Sequence, residues 1–164
     1  MALYALTIFL SSFLLFQVQP IIAKIILPWF GGSAAVWNTC MLFFQAALLG
    51  GYTYAHVLYD KLPSKRQSQT HIGLLICSLL TLPIIPGVGW KPQGSENPAV
   101  LILGLLAATI GLPYFLLSTT GPLMQAWYAR ANAGAVPYRL FALSNFASLL
   151  ALISYPLFVE PSLD

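Results

Sequence analysis

At 164 residues the chain has the length of an ordinary soluble domain, but it is 59% hydrophobic and 7% charged, against about 25% charged residues in a typical soluble domain. Too little polar surface remains to cover such a chain in water. Its net charge of +3 comes from scattered basic residues with no interleaved aromatic patch, which excludes a nucleic-acid-binding face.

The apolar residues come in continuous blocks of roughly 20, the length that crosses about 30 Å of hydrocarbon. Lipid leaves backbone groups no outside partner, so only helices or a closed barrel can span it. Continuous rather than alternating blocks select helices. The expected fold is therefore all-α, an integral membrane bundle of about five transmembrane helices, forming one domain over residues 1–164 with the lipid bilayer as its solvent and no soluble domain.

The first span is expected over 3–27, closed by Pro28 and the Gly31-Gly32-Ser33 turn. At about 37 Å it exceeds the hydrocarbon thickness, so it should tilt or kink, with Pro20 as the kink site. No basic segment precedes it and no small-residue cleavage site follows, so it reads as a retained anchor. The second span is expected over 34–58. The polar run from Asp60 to Gln69 reads as a loop. A third, short span is expected over 71–85, followed by glycine and proline turn signals from Pro86 to Gly94. The fourth is expected over 98–120, with Gly121-Pro122 hinging it before the amphipathic stretch Leu123–Ala131, and the fifth over 137–158.

Basic residues in short loops set orientation. Lys61, Lys65, Arg66, Arg130 and Arg139 fall on one side, and Lys91 on the other. The expectation is a bacterial inner-membrane protein with a cytoplasmic N-terminus and an external C-terminus, where Glu96, Glu160 and Asp164 also lie. Trp29, Trp37 and Trp90 would then mark the outer interface, and Trp127 with Tyr128 the inner one.

On the second span Asn38, Gln45, Tyr52 and His56 follow steps of seven, seven and four residues, which places them on one helical stripe. That stripe is expected to face protein, either as interhelical hydrogen bonding or as a polar path with His56 as its titratable member. Gly104, Gly111, Tyr114, Ser118, Gly121 and Gln125 on the fourth span, and Ser144, Ser148 and Tyr155 on the fifth, are expected to serve packing. Lys24 is charged within a span. It is expected to snorkel outward, while Gln17, seven residues earlier on the same face, allows a pocket at the proline-broken helix. Cys40 and Cys77 are expected to be buried free thiols.

No carboxylate pair, metal-ligand spacing or phosphate-loop context occurs, so neither catalytic residues nor a metal or cofactor is expected. His56 and His71 flank one loop and are the only residues that haem or chlorophyll ligation would use.

The run Gln19-Pro20 through Cys40, including Lys24-Ile25-Ile26-Leu27-Pro28-Trp29-Phe30-Gly31-Gly32-Ser33, then Phe43-Phe44-Gln45-Ala46 and Gly51-Tyr52-Thr53-Tyr54-Ala55-His56, resembles the membrane portion of the bacterial fused major-facilitator/spermidine-synthase-like family. So do Ser118-Thr119-Thr120-Gly121-Pro122-Leu123, Tyr138 through Asn145, and Tyr155 through Pro161. The resemblance implies further membrane spans and a soluble synthase-like domain in full-length relatives. This sequence contains neither a nucleotide-binding strand-loop-helix nor the catalytic acid, so it transfers no activity to any residue here. Many family members carry an acidic residue where this chain has Gln19, so that charge partner of Lys24 does not carry over. The expected function is a non-enzymatic membrane subunit or scaffold of a larger assembly with other membrane subunits. The alternatives are a small-solute transport component, for example for polyamines, and the membrane half of a split synthase-like protein.

Overall fold

The structure, a computed structural model, describes residues 1–94, 96–132 and 137–162; the expected external position of Asp164 falls outside them. Among the described residues it is an all-α bundle without strands: α1 Ala2–Ile26, α2 Ala34–Lys61, α3 Ser64–Leu79, α4 Pro98–Thr109, α5 Gly111–Ala131 and α6 Tyr138–Ser154. Three helical stretches, Ala2–Phe30, Ala34–Lys61 and Tyr138–Ser162, are long and apolar enough to cross a membrane, and α4 with α5 makes a fourth if the bent pair is one span. Such helices bond their own backbone, which is what hydrocarbon demands of a segment that crosses it.

α1 runs through Pro20 as one helix and ends in a 3₁₀ turn over Leu27–Phe30. Gly31 and Gly32 then take φ of 83° and 63°, left-handed values that a side chain resists, and the chain reverses into α2. α1 is pinned to α6 by a ladder of polar contacts. The buried Gln17 amide donates to the Ala151 carbonyl at 3.1 Å and to Ser154 Oγ at 2.7 Å. Tyr155 donates to the Pro20 carbonyl at 3.3 Å, and Lys24 Nζ to the Glu160 carbonyl at 3.1 Å. Pro156 has no N–H to continue the α-helical bonding, and here α6 widens into a π turn over Tyr155–Val159.

The run Asp60–Gln69, expected as a loop, is almost entirely helical: α2 continues to Lys61 and α3 begins at Ser64. Charges exclude a helix from hydrocarbon, but not from the water-facing end of a bundle. α3 accordingly starts earlier than the expected 71–85 span and stops at Leu79. Its 16 residues reach about 24 Å, less than the hydrocarbon thickness.

The hinge expected at Gly121-Pro122 lies instead at Ile110, where α4 and α5 bend by 68°. Pro113 explains the position. In a continuous helix its ring would press on the carbonyl of Thr109, whereas a break at Ile110 places it in the first turn of α5, where a missing N–H costs nothing. Pro122 sits inside α5 without ending it. Ser118, Thr119, Leu123 and Gln125 are buried on either side of it, so packing holds the helix through that residue.

The main core gathers Ile22 and Ile26 of α1, Cys40 and Phe44 of α2, Leu105 and Leu106 of α4, and Tyr114 of α5. Each end of the bundle sets a cation against an aromatic ring. Trp29 and Lys91 meet at one end, with Nζ 5.3 Å from the ring centroid. At the other end Arg130 lies 4.0 Å over the Tyr59 ring, and Tyr4 packs edge-on against Tyr128.

Candidate functional site

α2 presents two regular faces. Val36, Cys40, Phe44, Gly51, Ala55 and Leu58 are buried; several are small, which lets helices approach closely. At Gly51 the approach to α5 leaves no room for a side chain: a Cβ there would overlap the Ser118 hydroxyl and lie 3.1 Å from the Phe115 carbonyl oxygen. The other face carries the stripe. Asn38, Gln45, Tyr52 and His56 are all exposed on this chain, so among the described residues no helix of this chain buries them. Periodicity defines a face but not what covers it. In α2 the small-residue face won the contacts with α5 and α4.

Tyr52 opens onto a cleft of about 530 Å³ between α1, α2, α5 and α6, where Ser12, Ser118, Gln125, Ser144 and Asn145 also contribute. Among the described residues no charged side chain lines it. Hydroxyls and amides in an otherwise apolar wall can hydrogen-bond a polar side chain or a small polar solute. Elsewhere between these helices, Gln19 of α1 donates to the Tyr114 hydroxyl at 2.8 Å, and the Tyr114 ring sits 4.9 Å from that of Phe44.

Compared with protein-family models, curated proteins and solved structures, the chain matches none.

Gln17 and Lys24 do share a face of α1, but that face meets α6 and its extension. Gln17 Oε1 is buried without a hydrogen-bond partner among the described residues. His56 and His71 have different surroundings. His56 is exposed on the α2 stripe, whereas His71 is buried beside Tyr54 and Trp127, with ring centroids 6.2 and 6.4 Å away. Among the described residues no group of three or more His, Cys, Asp or Glu side chains could hold a metal. Cys40 is buried as expected; Cys77, expected to be buried, is exposed, because the α3 face that carries it has no neighbour among the described residues.

A second polar centre escaped the sequence reading. Gln67, in the supposed loop, is fully buried. Its Nε2 donates to the carbonyls of Tyr59 at 3.0 Å and Leu62 at 2.7 Å, which α2 leaves open at its C-terminal end. Its Oε1 accepts from the Trp127 indole at 2.8 Å and from Arg130 at 3.4 Å. One amide thus ties α3 to α2 and α5. A Gln three residues into a helix that follows a two-residue turn was the available signal, masked by the charges around it.

Proposed function

We propose that this chain is a non-enzymatic integral membrane subunit, one part of a larger membrane assembly, whose partner helices cover the polar face of α2. The single observation that carries this is the exposure of Asn38, Gln45, Tyr52 and His56 together on a membrane-length helix. Bare amide, phenol and imidazole groups are costly in hydrocarbon and are normally satisfied by protein. Leu42 and Leu49, 62% and 69% exposed on the same side, supply the apolar surface that a packed interface needs. The covering partner is therefore a transmembrane helix with its own hydrogen-bonding side chains. The resemblance to the fused major-facilitator/spermidine-synthase-like family supports the same reading, since it implies further spans beyond these.

Purification from native membranes in mild detergent should yield this chain with a defined membrane partner. Recovery as a lone chain under conditions that keep other membrane complexes intact would contradict the reading.

The cleft beside Tyr52 favours a second reading, in which the completed assembly passes a small polar solute along the α2 stripe. Uptake of such a solute that survives replacement of Tyr52 and Asn145 by apolar residues would remove it.

The proposed placement is the bacterial inner membrane with the N-terminus in the cytoplasm. Lys61, Lys65, Arg66, Arg130 and Arg139 cluster toward the Tyr59–Arg130 end, and the excess of basic residues in short loops belongs on the cytoplasmic side. Single cysteines at Ser64 and Gly94 test it: an impermeant thiol reagent on intact cells should label Gly94→Cys and spare Ser64→Cys. The reverse pattern would invert the orientation.

A further inference from the structure

We propose that the pocket between α1, α3 and α5 around Arg130 binds the phosphate of an anionic phospholipid. It rests on the membrane placement of the bundle. The pocket, about 280 Å³, is lined by Tyr4, Ser64, Ser68, Trp127, Arg130 and Ala131.

Arg130 is fixed before any ligand arrives. Its NH1 donates to Ser64 Oγ at 2.6 Å and to Gln67 Oε1 at 3.4 Å, and its guanidinium lies over Tyr59. Among the described residues none of its hydrogen-bond partners is a carboxylate, and the nearby Asp60 carboxylate pairs with Lys61 at 3.0 Å. The cation is thus held by neutral groups while its charge remains uncompensated. A planar guanidinium with donors to spare matches a phosphate group, to which it can give two parallel hydrogen bonds. The hydroxyls of Ser64 and Ser68 add short polar contacts. The first turn of α3, which has no side-chain cap and no acidic residue, adds open N–H groups and the positive end of the helix dipole. Lys65 and Arg66 in that turn raise the local potential further.

The surroundings select a lipid as the source of the phosphate. Trp127 and Tyr4 are the ring types that sit at headgroup level, and Tyr128 extends that aromatic wall, its ring centroid 5.5 Å from that of Tyr4. Past Tyr4 toward the middle of α1, Leu6 and Leu10 are 56% and 48% exposed, an apolar surface for acyl chains. Basic pockets between membrane helices are the usual sites for anionic headgroups.

The test is native mass spectrometry of the full chain released from micelles containing equal phosphatidylglycerol and phosphatidylcholine. One basic residue near the surface contributes a preference of about fivefold, so wild type should retain phosphatidylglycerol by at least that factor. Arg130→Gln should abolish the preference. Because Arg130 also braces α2 and α3, Ser68→Glu provides the independent arm. Ser68 makes one hydrogen bond, to the Ser64 carbonyl at 3.4 Å, so its replacement spares the Gln67 network while placing a competing carboxylate in the pocket. Loss of the preference in Ser68→Glu supports the site. Equal retention of both lipids by wild type, or an undiminished preference in Ser68→Glu, overturns it. Displacement of the lipid by an equal concentration of inorganic phosphate would assign the pocket to a soluble phosphate and overturn the lipid assignment. A chain that fails to enter lipid micelles at all would sink the membrane placement first.

Discussion

Tyr114→Ala is expected to destabilise the bundle by about 3–5 kcal/mol, the range for removing a fully buried aromatic side chain. Tyr114 is 0% exposed and lies one turn past the Ile110 break, where α1, α2 and α5 converge. Its removal empties the space against Phe44 and strips the Gln19 amide of its acceptor. The cavity cannot close easily, because Pro113 and the bend at Ile110 fix the start of α5. Tyr114→Phe separates the two contributions: it keeps the packing and should cost only about 0.6–1.7 kcal/mol, the range for one interhelical hydrogen bond in a membrane. Reversible unfolding of the three proteins in mixed micelles measures both. Equal loss in the alanine and phenylalanine variants would mean that the hydrogen bond, not the packing, holds this junction.

Gly51→Ala should cost about 1–3 kcal/mol, as added methyl groups in tight packing do. Rotating Ser118 would relieve the overlap with its hydroxyl, but the added Cβ would still lie 3.0 Å from Ser118 Cβ and 3.1 Å from the Phe115 carbonyl oxygen. Backbone cannot swing aside, so α2 and α5 must separate. The adjacent Gly50 is the control: a Cβ there meets the Phe115 ring at 3.7 Å, an ordinary contact, and Gly50→Ala should be near neutral. Similar melting of both variants would show that α2 and α5 do not pack as closely at Gly51 as described.

The long apolar blocks were legible because hydrocarbon leaves the backbone few choices, and α1, α2 and α6 follow from them directly. Four features were not, each for a physical reason. Polar residues between Asp60 and Gln69 are incompatible with lipid but compatible with a helix at the water-facing end, and Gln67 is what makes that end self-sufficient. Two prolines competed for the break in the fourth span. The break falls at Ile110 because a continuous helix would press the Pro113 ring on the Thr109 carbonyl, while α5 runs on through Pro122 with buried neighbours on either side. The stripe on α2 was legible as a stripe, but its direction was not, since the small-residue face has an equally helical period. Gln17 and Lys24 were correctly paired on a face; that α6 would receive both depended on tertiary arrangement, which spacing does not encode.

The exposed polar face of α2 can be interrogated directly by placing a photoreactive amino acid at Gln45 and irradiating native membranes. If partner helices cover the stripe, Gln45 should form an adduct with a protein of defined mass. Adducts with lipid alone would mean that the stripe faces hydrocarbon, and would contradict the assignment of this chain as one subunit of a larger membrane assembly.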